Sequence, residues 1–525
     1  MKLSRRDVMK FSVLAGAAVA LPLERSVSGS LALASRIAES ALPAPFTQPF
    51  RIPPVISPTR SDGTTDYFYV SMEPTQVEFI PGLQTPMWGY NGSVPGPTFE
   101  MTQGRKAVVR QVNNLPSVHP VWNYTPWTSV HLHGSASLPE YDGYASDITN
   151  PGEWKDYHFP NVQPARTLWY HDHGVHHTAE NVYMGLAGIY QLHDSLERKL
   201  SIPHGQYDVP LIVSDRMFNS DGTLLFDNND GSGFYGDVIT VNGAVWPVMK
   251  VARRKYRFRI LNAGPSRSYK WYLDNGAPMT VIATDAGLMP KPHAVTSFRQ
   301  GVAERYEVII DFAKYKPGTR IVLRNDSPKN NINFTNTDKV MAFEVTGDAF
   351  SKTNNSIPSQ LYAAQPTMAL KESDAIVTRH FDFVRVNGSW TINGKTWDDV
   401  IASGFDFALA SPVTDTVELW ELSNPSGGWH HPAHIHFIDF KVLDRNGQPP
   451  MPHELGAKDV VFLGENETVR LLIKFENGRG KYMFHCHNLV HEDHDMMGQF
   501  DIIDAVHGED SPFADPAHPL PEGPL

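Results

Sequence analysis

Residues 485–498 read HCHNLVHEDHDMMG and hold the one cysteine of a 525-residue chain that has 23 histidines. In an extended strand the side chains at i and i+2 share a face while i+1 points the other way. Cys486 therefore turns its thiol away from the side that His485 and His487 face, and it serves a different centre from theirs. His491 and Met496 follow the cysteine by five and ten residues, as a loop returning to that same centre requires.

Three further segments concentrate histidine: HLHG from His131, HDH from His171 and HPAHIH from His431. The strand rule pairs His131 with His133, His171 with His173, His434 with His436, and His485 with His487. These four pairs supply eight imidazoles, and neutral imidazole suits copper, zinc, iron or nickel. His431 stands three residues before His434, opposite in parity, so it faces the cysteine side, although Pro432 interrupts strict alternation. Two imidazoles, one thiolate and one weak thioether make the ligand set of a blue-copper electron-transfer site. Zinc competes for Cys/His clusters, but it usually brings more cysteines and no methionine. Cys486 is covalently adjacent to His485 and His487, which gives electrons a short through-bond path between the two centres. Eight imidazoles suit three copper ions with positions left for oxygen and water. One electron-accepting copper and three more hold four electrons, enough to take dioxygen to two waters.

Outward from these segments the chain reads as short β-branched and aromatic runs such as KAVVRQV, YRFRILNA, RYEVIIDF and TVRLLIKF, separated by Gly, Pro, Asn and Asp. Such runs are strands, and helical periodicity is weak, so the expected class is all-β, in sandwiches or barrels. Asn-Gly pairs at 91–92, 242–243 and 393–394 recur at intervals of 151 residues. Asn-Gly is a hairpin-turn signal, and its regular recurrence implies three similar units. We place them at 45–195, 205–349 and 372–505, with the Pro-rich acidic residues 508–525 as a flexible tail.

Hydrophobic residues make up 41% of the chain and charged residues 19%, as in a globular protein, and the formal net charge is −12. No dense Lys/Arg block follows the N-terminus, which argues against nucleic acid as a partner. Residues 1–34 read as a signal peptide: Lys2, Arg5, Arg6 and Lys10 precede an apolar stretch from Phe11 to Leu23 that is too short to span a bilayer. SRRDVMK resembles the twin-arginine export pattern, which implies the Tat machinery as a partner and a bacterial periplasmic or extracellular location. No stable membrane insertion is expected after cleavage. Export into an oxidising compartment makes an unpaired cysteine a candidate for a chemical task.

Taken together, these motifs resemble the multicopper oxidases over almost the whole mature chain. The resemblance implies three cupredoxin-like Greek-key β-barrel domains and four copper ions. It places His431, Cys486, His491 and Met496 at a type 1 copper, His131 and His434 at a type 2 copper, and His133, His171, His173, His436, His485 and His487 at a type 3 pair. Longer stretches, HLHGSASLPEYDGYASDIT, WYHDHGVHHTAENVYMGLAGIY and GGWHHPAHIHFIDFKV among them, look most like the bilirubin oxidase and bacterial spore-coat laccase branch. Asp142 and Glu492 match acidic positions near the trinuclear centre in that branch and are candidate proton relays. A methionine at 496 implies a moderate potential, suited to phenols, aromatic amines and tetrapyrroles.

Trp429 is expected on the outer wall of the type 1 site, beside an exposed imidazole edge that receives electrons. His176, His177, His430 and His494 match no ligand position and are expected at the surface or behind the ligands. The leading function is oxidation of a small-molecule donor with O2 as acceptor, by a monomer. Two other readings stand beside it: a metallo-oxidase for Cu(I) or Mn(II), and a non-catalytic relative. The latter predicts missing ligands, and none is missing.

Overall fold

The computed structural model describes residues 36–504 except 477, together with 518–519. The expected signal peptide lies outside the described residues, as does the tail apart from His518–Pro519, which pairs with Glu153 and Trp154 at a sheet edge. Strands dominate, and the described strands form six sheets, two in each of three cupredoxin-like domains. The first domain has sheets of six and four strands, the second of seven and five, and the third of five and four.

The Asn-Gly repeat has a structural counterpart in every domain. Asn91, Asn242 and Asn393 all have φ near +50° (50, 49 and 54°), and the following glycines lie at 69, 75 and 70°. Two successive positive φ angles define the tight hairpin turn that Asn-Gly favours. Each Asn Oδ1 then accepts, at 2.7 Å, the backbone N–H of the domain's opening strand, from Ser71, Ile212 and Asp382. Those opening strands, Thr65–Ile80, Asp208–Arg216 and Val377–Val386, each run parallel to a later strand, respectively Lys106–Asn113, Lys255–Asn262 and Val417–Asn424.

The first two domains share one continuous apolar core, which runs from Phe68 and Trp169 through Phe258 to Phe343. The third has its own, around Trp420, Leu471, Phe484 and Cys486. It docks through a part-buried ion pair, Arg166 to Asp439 at 2.7 Å, and two buried ones, Lys458 to Asp285 at 2.8 Å and to Glu304 at 2.9 Å. Charges are kept inside a protein only when they are paired in this way. Among the described residues no helix is long and apolar enough to cross a membrane.

Candidate metal centres

Two antiparallel strand pairs position the histidines. In the first domain Val130–His133 pairs with Arg166–Asp172, which sets His131 opposite His171. In the third, His431–Ile435 pairs with Gly480–Cys486, which sets His434 opposite His485 and Ala433 opposite Cys486. Docking of these domains brings the two sets face to face. His133 stacks on His434 with centroids 3.7 Å apart, His131 lies 4.1 Å from His436, and His173 lies 4.9 Å from His485. All eight imidazoles, with His487 against His133 and His171 at 5.2 Å, form one cluster with every ring buried.

Neighbouring acceptors decide which nitrogen of each ring carries the proton, because a carbonyl or carboxylate oxygen can only accept. His131 Nδ1 donates to Asp142 O, His171 Nδ1 to Asp172 O at 2.8 Å, and His434 Nδ1 to Asp459 O at 2.8 Å. His133 Nε2 donates to Asp459 Oδ1 at 3.1 Å and His436 Nδ1 to Asp142 Oδ2 at 2.8 Å. The opposite nitrogens of His131, His133, His171 and His434 are buried and without a partner. His485 Nδ1 lies 3.0 Å from Glu492 Oε2 and 3.3 Å from Cys486 O, which leaves Nε2 as its lone pair. That lone pair faces the one on His436 Nε2 at 3.1 Å. Two acceptors at this distance repel unless a cation lies between them, so the ring nitrogens suit a metal cluster.

Burial, reinforced by neighbouring imidazoles, pushes the basicity of His133, His171, His173, His434, His436 and His487 well below the usual range. These rings stay neutral and keep a lone pair for a metal.

On the other side of the same strand, Cys486 Sγ lies 3.3 Å from His431 Nδ1 and 3.5 Å from His491 Nδ1, and the two nitrogens are 3.3 Å apart. An ion at the centre of such a triangle stands about 2 Å from each corner, within metal-ligand range. His491 reaches the triangle from the short helix Leu489–Asp493, whose cap Asn488 accepts the Val490 N–H. Met496 is buried beside Cys486, with its carbonyl accepting the Cys486 N–H at 3.1 Å. Burial pushes the Cys486 thiol well above its usual range, so it is a cation that would bring out the thiolate.

Both acidic residues fall on the histidine cluster. Asp142, 1% exposed, bonds His436, and burial raises its carboxyl above the usual range. Glu492, 3% exposed, lies between His485 and His173, whose Nε2 is 3.4 Å away. His431 joins the cysteine and His434 the eight-ring cluster, on the opposite sides that strand alternation assigns them.

One expectation is corrected. No imidazole edge is exposed at the cysteine site, since His431 is 0% and His491 1% exposed. Ser232 O, on a loop of the second domain, lies 3.3 Å from His491 Nε2, and Trp390 stacks on the same ring at 3.8 Å. Trp429 does lie on the outer wall, perpendicular to Trp390 at 5.3 Å. His176 and His494 are exposed, His177 lies tilted against Tyr124 at 4.3 Å, and His430 is buried against Phe462 with Ser268 Oγ at 2.9 Å. Sequence reasoning missed Asp459, Ser232 and Trp390, whose neighbours in the chain give no sign of the distant residues they meet.

Residues 71–197, 182–346 and 371–505 each match a family model described as multicopper oxidase. A bilirubin oxidase from Albifimbria verrucaria is 42% identical over 479 residues, spanning 87% of this chain and 81% of that protein. A laccase from Bacillus subtilis (strain 168) is 34% identical over 87% of this chain and 98% of its own. Among solved structures, a laccase from Pediococcus acidilactici aligns with a TM-score of 0.77 at 29% identity, covering 88% of this chain and 95% of that one. The McoA multicopper oxidase from Aquifex aeolicus aligns with a TM-score of 0.74 at 28% identity, covering 86% and 100%.

Proposed function

We propose, from the premise that this chain belongs to the multicopper oxidase family and is a copper-dependent oxidoreductase with O2 as acceptor, that its donors are phenols, aromatic amines or bilirubin-like tetrapyrroles. The 42% identity to a bilirubin oxidase, over most of both chains, supports this donor class. The reaction itself is carried by one observation: the thiol of a trigonal His-Cys-His pocket is bonded along the chain to two members of the eight-histidine cluster.

In this reading His431, Cys486, His491 and Met496 hold a type 1 copper. His131 and His434 hold a type 2 copper, and His133, His171, His173, His436, His485 and His487 a type 3 pair, four ions in all. Bound copper supplies one-electron acceptance at the cysteine and the multi-electron reduction of O2 to water among the histidines. The chain supplies the rest. The peptide bonds on either side of Cys486 join the two centres. Asp142, whose carboxyl pKa burial raises and whose Oδ1 has no hydrogen-bond partner, and Glu492, set between His173 and His485, are the carboxyl groups placed to pass protons to the histidine cluster. Buried walls keep bulk water from the histidine cluster.

The enzyme acts as an exported monomer in the periplasm or outside the cell, delivered by the Tat machinery. The pattern in Ser4–Lys10 supports the export.

Oxygen uptake by copper-loaded protein with bilirubin, a dimethoxyphenol, an aromatic amine, Cu(I) and Mn(II) tests the donor class. Faster turnover of the organic donors supports it. Turnover confined to the metal ions would establish the metallo-oxidase reading instead, and none with any donor would leave a non-catalytic relative.

A further inference from the structure

The second domain supplies no histidine to either cluster, yet one of its side chains reaches the eight-ring cluster through a buried carboxylate. Arg305, on the strand Arg305–Asp311, and Asp459, which directly precedes the strand Val460–Leu463, are 0% and 1% exposed. They form a two-point ion pair, Nη1 to Oδ1 and Nη2 to Oδ2, both 2.6 Å. Such fork-to-fork pairing fixes the plane of the carboxylate as well as its charge. The guanidinium is itself held by Thr167 O at 2.9 Å, Asp285 O at 3.1 Å and Ala303 O at 3.1 Å.

Asp459 in turn meets two stacked histidines in opposite senses. Its Oδ1 accepts from His133 Nε2, and its backbone carbonyl accepts from His434 Nδ1. The rings lie 3.7 Å apart with planes 18° from parallel. One residue therefore leaves Nδ1 free on His133 and Nε2 free on His434, and both free nitrogens are buried without a partner. The backbone makes room for this arrangement. Gly134, next to His133, has φ +86°, and a Cβ there would stand 2.7 Å from Arg305 Nη2 and 2.8 Å from Asp459 Oδ2.

We propose that Asp459, clamped by Arg305, is a positioning residue of the histidine cluster that sets opposite tautomers on His133 and His434, so that the second domain shapes a metal site to which it gives no ligand. Both carboxylate oxygens of Asp459 are engaged by the guanidinium, which marks it as an orienting group and not as a ligand. Carboxylates that orient ligating histidines are usually worth about 10- to 100-fold in metal affinity. The inference rests on the reading that these histidines hold copper.

The test uses the full chain, loaded with copper and then challenged with a graded chelator, as wild type, Asp459→Asn and Arg305→Lys. The amide of Asp459→Asn sets a donor against either Arg305 or His133 Nε2, while Arg305→Lys keeps the charge but loses the second contact. Copper per chain, blue absorbance and the paramagnetic signal of non-blue copper are followed, together with thermal unfolding of the copper-free proteins. We expect Asp459→Asn to release non-blue copper at about 10- to 100-fold lower chelator strength. Arg305→Lys should fall between it and wild type, and blue absorbance should persist in both. Wild-type retention in Asp459→Asn would overturn the proposal. So would parallel loss of blue and non-blue copper with a lowered copper-free unfolding temperature, which marks a purely structural role. Failure of the wild type itself to bind copper would instead refute the reading beneath it.

Discussion

His436 Nε2 and His485 Nε2 face each other at 3.1 Å, each with its other ring nitrogen committed to an acceptor. Removing copper leaves these lone pairs opposed in a buried site, so metal and fold are linked. Binding to the folded state alone stabilises it by about 2.7 kcal/mol when free copper is about 100-fold above Kd. Scanning calorimetry of chelated and reloaded protein should show a clear rise in unfolding temperature on reloading. An unchanged trace would refute the linkage.

Cys486 and its neighbours His485 and His487 occupy opposite sides of one strand. Cys486→Ser should therefore abolish blue colour and donor oxidation while the copper of the histidine cluster stays bound. Metal analysis beside the visible spectrum checks this, and loss of all copper together would show that the two faces do not load independently.

Asp142 and Glu492 contact the histidines but leave carboxylate oxygens without partners. Asp142→Asn and Glu492→Gln keep shape and remove a carboxyl able to take up and pass on a proton, so O2 consumption should fall by about 100-fold or more at unchanged copper content. Full turnover in both would end the relay assignment.

His119, which belongs to neither centre, makes a pH-dependent contribution to stability. Its Nδ1 accepts the Val121 and Trp122 N–H groups at 3.2 and 3.0 Å, its ring stacks on Trp122 at 4.3 Å, and burial pulls its pKa down to about 4. Above pH 6.5 neither folded nor unfolded chain holds the proton. As pH falls from 6.5 to about 4 the unfolded chain takes it up first, so stability falls within that window, by at most about 1.4 kcal/mol per pH unit near its middle. His119→Asn retains an acceptor without the titration. Urea unfolding at pH 7 and pH 5 should show a shallower loss in the variant, though from a lower starting stability because the stacking is gone.

The three Asn-Gly turns offer an internal comparison. Asn242 is 3% exposed and its amide also donates to Arg51 O and Pro210 O, both at 2.9 Å, whereas Asn393 is exposed. Asn242→Ala combines a positive φ with orphaned buried groups and should cost about 3 kcal/mol in urea unfolding; Asn393→Ala, whose partners can turn to water, should cost about 1 kcal/mol. Equal losses would contradict the burial argument.

The class, the threefold repeat and the two-faced Cys486 strand were legible because each depends on neighbours in the chain. Strand alternation is a property of two consecutive residues, and the Asn-Gly turn is a property of one dipeptide. The same logic sorted His431 from His434 across Pro432. It failed for the exposed imidazole edge, because Ser232, the residue that covers His491, is 259 positions away in another domain.

What the sequence alone determined is therefore the inventory and the facing: which side chains suit copper, and which of them share a side of a strand. Tertiary structure decided the rest. It joined His173 to His485 across 312 residues and Asp142 to His436 across 294, and it set Arg305 on Asp459 across 154. It also removed water from all of them: burial keeps imidazoles such as His173 and His436 neutral and raises the pKa of the Asp142 carboxyl, and the Arg305 fork fixes the plane of the Asp459 carboxylate. Covalent geometry acts over one or two residues, whereas burial and partner choice exist only once separate sheets have packed together.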